Sequence, residues 1–167
     1  YYATFTLDDV KSYSEFSALY DQFKITYVSY MITMITNPNS TYPVNGSTFL
    51  QQTNWYPKLW YIYDGDDSNT PTLSEMRERQ GVKYKTLYPG KTIKLNIKPS
   101  VLVQTYRTST TTGYAPKRIW LDVATGYNVP HYGLKYVVDC LGLDPNDTYP
   151  FKFRVEIKYW VSFKGVL

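Results

Sequence analysis

His131 and Cys140 are the only histidine and the only cysteine in the 167 residues, and that scarcity decides what chemistry the chain can do. A nucleophilic cysteine or serine needs a base within hydrogen-bond reach and a third group to orient that base. His131 lies in a Pro130-His-Tyr-Gly133 loop with no such partner in a motif, so a structural or interface role is expected for it. No G-x-S-x-G, H-E-x-x-H or phosphate-cradling glycine loop occurs. No catalytic residue, metal site or cofactor is therefore expected. A single cysteine also excludes a disulfide framework and a thiolate metal cluster, which fits folding in a reducing compartment.

Two other residue sets could bind rather than react. Asp64, Asp66, Ser68 and Glu75 stand at the first, third, fifth and twelfth positions of a calcium-loop spacing. Asn69 occupies the sharp-turn position that calls for glycine, and no helix precedes the loop. An acidic turn leading into a capped helix explains the same residues better. Lys83, Lys85, Lys94, Lys98, Lys152, Arg154 and Lys158 sit on segments rich in Tyr and Trp. Cations that neutralise phosphates beside rings that stack on bases are what sequence-independent binding of single strands requires. These seven are the candidate nucleic-acid residues, against the plainer reading of solvated strand faces and salt bridges between copies.

The charge balance points the same way. Residues 1–80 carry five Lys/Arg against nine Asp/Glu, a net −4, whereas residues 81–167 carry thirteen against five, a net +8. Such a split implies a basic face suited to a polyanion. Nineteen of the residues are Tyr, and only 19% are charged. That is too much half-polar aromatic surface for one small core, so other copies of the chain are expected to cover part of it.

The elements that must position these residues are mostly strands. Ala3 to Leu7 reads as a first strand, and Ser12-x-x-Glu15 as a capping box opening a helix to about Gln22. Lys24 to Thr36 follows as a long strand with apolar residues on both faces. Asn37 to Asn54 is loop, Trp55 to Tyr63 strand, and Thr72-x-x-Glu75 caps a second short helix ending at Gly81. Val82 to Tyr88 is strand, and in the next one Ile93, Leu95 and Ile97 alternate with Lys94, Asn96 and Lys98. A polar loop from Tyr106 to Ala115, a short strand near 118–123 and a strand from Tyr132 to Leu141 come next. The alternation from Phe151 to Phe163 is the strictest in the chain and places Phe153, Val155, Ile157 and Val161 in the core. About eight strands with long, turn-rich connections and two short helices indicate one all-β domain over residues 1–167, an antiparallel jelly roll.

The order of these segments resembles a known family. A strand ends in Thr4-Phe-Thr-Leu7, and a short helix ending Tyr20-Asp-Gln-Phe-Lys-Ile25 leads into the long strand. Pro130-His-Tyr-Gly-Leu134 opens a late strand, and a Phe/Lys/Arg/Tyr strand closes the chain. This pattern resembles the capsid proteins of circoviruses and related viruses with circular single-stranded DNA. The resemblance implies a viral jelly roll that self-assembles into a small icosahedral shell of identical copies and encloses the DNA genome. It also implies a basic amino-terminal arm that binds DNA and carries a host-nuclear import signal. No such arm precedes Tyr1, which opens the sequence without Met or leader, so a leading segment is expected to have been cleaved, disordered or deleted. The virion is the expected location, with no membrane insertion, because no window approaches eighteen apolar residues. Asn39, Asn45 and Asn146 head Asn-x-Ser/Thr triplets expected to go unused. The competing readings are a secreted trimeric jelly-roll ligand or lectin-like module and a cupin-type enzyme. The lone Cys and basic second half weigh against the former, and the single histidine against the latter.

Overall fold

The computed structural model describes residues 1–35, 56–65, 69–140 and 151–166, together with the backbone of two short strands at 42–44 and 47–49. In chain order the elements are β1 (Tyr2–Phe5), α1 (Tyr13–Ser17), β2 (Tyr20–Met34), β3 (Tyr42–Val44), β4 (Ser47–Phe49) and β5 (Lys58–Ile62). Then come α2 (Leu73–Glu78), β6 (Lys83–Thr86), β7 (Thr92–Ile97), β8 (Val101–Arg107), β9 (Thr112–Lys117), β10 (Leu121–Asp122), α3 (Val123–Gly126), β11 (His131–Asp139) and β12 (Phe153–Val166).

Eight of the strands build two antiparallel four-stranded sheets. The first runs β1-β11-β5-β6. In the second, β12 pairs along nearly the whole of β2, while β7 and β10 share the other edge of β2. Long connections carry the chain from one sheet to the other, as in a jelly roll. The remaining strands form two separate hairpins, β3-β4 and β8-β9.

The sheets meet over one aromatic and aliphatic core. Phe5, Leu59 and Leu134 from the first sheet pack with Phe23, Ile25, Val28, Ile32, Leu95 and Ile97 from the second. Phe5 stands edge-on to Tyr30 at 6.4 Å and to Tyr159 at 6.1 Å between ring centres. The Tyr30 and Tyr136 hydroxyls lie 3.0 Å apart across the sheets, so burying these phenols leaves neither oxygen unpaired. Burial and the Tyr136 hydroxyl push the Tyr30 phenol far above its ordinary pKa, which keeps it neutral.

Several expectations change here. The last strand does alternate, but Val155 and Ile157 are 44% and 40% exposed, and Phe153 and Val161 are only half-buried. Val155 and Ile157 pair with Ile32 and Tyr30, whose side chains are buried, so they do point to the core side. Among the described residues, however, β12 is the outermost strand of its sheet, and alternation reports a face without reporting what covers it. The long second strand reads as two-faced because it is bulged. Val161 pairs with Ile25 and Trp160 with Tyr27, leaving Thr26 as the extra residue. Its hydroxyl donates to the Trp160 carbonyl at 2.9 Å. The core row therefore changes phase from Phe23 and Ile25 to Val28, Tyr30, Ile32 and Met34.

The first helix is shorter than expected. Ser12 has φ 64° and makes no side-chain cap, α1 spans five residues, and Tyr20 to Ile25 is already strand. The second helix has the expected capping box: Thr72 Oγ1 accepts from the Glu75 N–H, and the Thr72 N–H donates to Glu75 Oε2 at 2.7 Å. The segment read as a polar loop at 106–115 is the β8-β9 hairpin, exposed along most of its length, and α3 is a third short helix.

The far side of the first sheet also buries a charge that strand patterning does not announce, because Lys135 is fully buried there. Its Nζ donates to Asp64 Oδ2 at 2.8 Å, and Arg79 reaches the same oxygen at 3.0 Å. Arg77 donates to the buried Asp139 at 2.7 Å and lies over the Trp60 ring. These pairs fasten α2 and its flanks onto the outer face of the first sheet. They also redirect the calcium-spaced residues: Asp64 serves Lys135 and Arg79, and Glu75 serves the α2 cap. Asp66 and Ser68 lie outside the described residues, as do Asn39, Asn45 and Asn146. Among the described residues no helix is long and apolar enough to cross a membrane.

Two outcomes test this account of the core. Phe5→Ala should cost about 3–5 kcal/mol of stability, whereas Ile157→Ala at the open edge should cost about 1 kcal/mol or less. Urea denaturation with unchanged slope is the measurement, and equal losses would mean that the edge is covered. The buried His131 ring is the second test. Burial lowers its pKa, opposed by hydrogen bonding to the Val129 and Phe5 backbones. The unfolded chain then binds a proton at about pH 6.5 that the folded chain refuses. Stability should fall as pH drops below about 6.5, and His131→Gln should flatten that part of the profile in thermal melts between about pH 7.5 and 5.5.

Candidate nucleic-acid interface

Register decides which of the seven cations share a surface. Cα partners in an antiparallel sheet project to the same side. On β12, Arg154, Glu156, Lys158 and Trp160 alternate with the core row, so they stand on the outer face of the second sheet. Across that face Arg154 meets Thr33 and then Thr92, Glu156 meets Met31 and then Lys94, and Lys158 meets Ser29 and then Asn96. Neighbouring strands are about 4.8 Å apart, and Arg154 and Lys158 are separated by roughly 13 Å along the strand. The face therefore presents cations at the spacing of a few phosphates.

Lys94, Arg154 and Lys158 are thus brought together. Lys98 continues the outward row just beyond β7, and Lys152 precedes β12, where its carbonyl accepts from the Ile35 N–H at 2.8 Å. Lys83 and Lys85 are not part of this surface. They sit on β6, the far edge of the other sheet, opposite Tyr61 and Leu59. Side chains on the core side of an edge strand that carry charge discourage edge-to-edge pairing, which is a sufficient reason for these two lysines.

The register adds residues beyond those seven. Lys24 pairs with Ser162 on the same outer face, and Tyr27 pairs with Trp160. The two rings meet edge-on at 5.1 Å, with Trp160 45% exposed. Further along, Lys164 Nζ lies 4.6 Å from the centre of the Trp120 ring. The bulge hides Lys24 and Tyr27 from a reading by simple alternation, since they fall on opposite parities yet the same face.

One acid interrupts the row. Glu156 stands between Arg154 and Lys158, 4.0 Å from Arg154, with both side chains exposed. A contact that open is worth little, so it trims the local positive potential without cancelling it. Among the described residues no cluster of His, Cys, Asp and Glu could hold a metal ion. The chemistry this face supports is attraction of a polyanion and stacking on its bases.

Comparison with known proteins agrees with the topology. No curated protein sequence matches significantly. The crystal structure of the 60-mer BFDV capsid protein has a similar fold, with a TM-score of 0.59 at 14% identity over 98% of this chain and 80% of that one. A profile of the circovirus capsid proteins matches residues 1–167. Two packed four-stranded sheets, a capsid neighbour of the same fold and a family match along the entire sequence converge: the chain belongs to the circovirus capsid protein family and is a structural protein of the virion.

Proposed function

We propose that this chain assembles with identical copies into a closed icosahedral shell, and that the outer face of its second sheet lines the interior against a single-stranded DNA genome. The observation that carries the reading is the row of Lys94, Arg154 and Lys158 set beside Trp160 and Tyr27 on one sheet face. Outward-facing cations on a shell's exterior would do nothing for a genome, whereas on the inner wall they offset its phosphate charge. The 60-mer of the BFDV protein supports sixty copies, the smallest icosahedral arrangement. Assembly within the host nucleus belongs to the same reading, as does a single shell domain over residues 1–167.

Contacts between copies are supported by the β8-β9 hairpin. A two-stranded ribbon is marginal on its own, and this one is packed mainly at its Val101 end. Tyr106 and Tyr114 are 55% and 61% exposed, with Ile119 and Trp120 nearby in sequence and also open. Large exposed aromatics are enriched where protein surfaces meet. The hairpin is the arm by which one copy reaches the next.

Purified protein at micromolar concentration should therefore give closed particles in electron micrographs and in sedimentation. Tyr106→Arg with Tyr114→Arg should abolish particles while leaving the circular dichroism of a folded β protein. Only monomer from the unsubstituted chain, across several salt and pH conditions, would refute assembly.

DNA binding has its own test. Short single-stranded oligonucleotides should bind with an affinity that falls as salt rises. Replacing Lys94, Arg154 and Lys158 by Glu should weaken binding and reduce the log–log salt slope by about 2, since each phosphate that is no longer neutralised removes roughly 0.7. Lys83→Glu with Lys85→Glu should change neither quantity beyond a small general field effect. Equal weakening by both variants would mean that net charge, not this face, governs binding.

A further inference from the structure

Beside the basic row, where the end of β5 and the β7-β8 connection meet the second sheet, lies a cleft of about 390 Å³. That volume falls within the usual ~300–1,000 Å³ of small-molecule sites. Its walls include the rings of Tyr27 and Tyr63, with Asn96, Lys98 and Ser100 around them. Tyr27 belongs to the outer face already described and is edge-on to Trp160. Tyr63 arrives from the other sheet, 47% exposed and braced edge-on against Tyr61 at 5.8 Å. Asn96 from β7 lines the same cleft, so the ring sits at the seam of the two sheets. Asp64 also reaches the cleft, but its Oδ2 is shared by Lys135 and Arg79, which offsets its charge.

Two phenol rings, a carboxamide, a hydroxyl and an ammonium group match the parts of one nucleotide. The rings offer π-faces for a base, the amide and hydroxyl can meet donors and acceptors on its edge, and Lys98 can hold the adjoining phosphate. The cleft is continuous with the cation row through register, since Asn96 pairs with Ser29 and Ser29 with Lys158. A strand lying along Lys158 and Lys94 would pass its mouth.

We propose that this cleft receives one unstacked base of the single-stranded DNA whose backbone lies on the neighbouring cations. The proposal rests on the reading of that face as the genome surface, and it adds a stacking site to what is otherwise phosphate attraction. Because every base has a π-face, the site is tolerant of sequence.

The test uses two fluorescent oligonucleotides of equal length, one of thymidines and one abasic, titrated against the unsubstituted chain and a Tyr27→Leu, Tyr63→Leu variant. The chain should bind the thymidine strand roughly tenfold more tightly than the abasic one, a ratio within the range of aromatic stacking. The variant should lose that preference while keeping its affinity for the abasic strand. Equal binding of both strands by the unsubstituted chain would overturn the cleft and leave the basic face intact. No binding of either strand at low salt would overturn the basic face and the cleft with it. Photocrosslinking of a 5-iododeoxyuridine strand to the unsubstituted chain checks the site without any substitution. Crosslinks should map to Tyr27 or Tyr63, and crosslinks confined to other peptides would overturn the proposal.

Discussion

The pairing of β2 with β12 is the constraint on which the rest of the molecule depends. It runs antiparallel from Met34 opposite Phe153 to Tyr20 opposite Val166, joining the beginning of the sheet system to its end. Such a contact closes a loop of more than about a hundred residues, so its entropic cost is met only by extensive cooperative burial. The bulge at Thr26 lets one continuous strand serve two jobs. On one side of it Phe23 and Ile25 face α3 and the His131 region, and on the other Val28 to Met34 faces the main core. Without the extra residue, one of these two rows would turn outward.

How much of this the sequence reveals depends on how each element is buried. β7 and α2 are legible because each obeys a local rule: β7 has one face in the core and one in water, and α2 has a reciprocal cap. β2 misleads because its bulge mixes two periodic rows, giving the impression of apolar residues on both faces. The β8-β9 hairpin passes for loop because, beyond its Val101 end, neither of its faces is buried within one copy, so no apolar row marks it. Val155 and Ile157 show the complementary limit. Their parity is legible, but whether an adjacent strand shelters them is a property of sheet order, which alternation does not encode.

The site follows the same logic. Lys94, Arg154 and Lys158 lie on strands that keep strict phase, and register sets them on one face. Lys83 and Lys85 belong to the other sheet, and only strand order separates them from the rest. Lys135 is invisible to pattern reading because a lysine in a strand ordinarily marks a solvent position. Its burial is tolerated because Asp64 pairs with it under the cover of the α2 segment. A buried charge pair of this kind adds little net stability but makes a misplaced segment costly. Asp64, whose spacing resembles the start of a cation loop, is better understood as supplying the counter-charge that fixes where α2 docks.

The outer face of the second sheet is only weakly basic. At its centre Lys94, Arg154 and Lys158 surround the Glu156 carboxylate, so a single copy can offset only a few phosphates there, and such an attraction is readily weakened by salt. In a closed shell that weakness is no handicap. If the face lines the interior as proposed, many identical faces surrounding one enclosed polymer would act at high effective concentration, and modest affinities would multiply without any new contact. A much denser row would raise the repulsion between neighbouring copies before the genome is present, opposing assembly itself. Glu156 between Arg154 and Lys158 would moderate that repulsion, at the cost of some of the proposed attraction for DNA. Under the proposed reading, stacking surfaces such as Trp160 and Tyr27 would recover part of the loss, because they could hold a strand without adding charge.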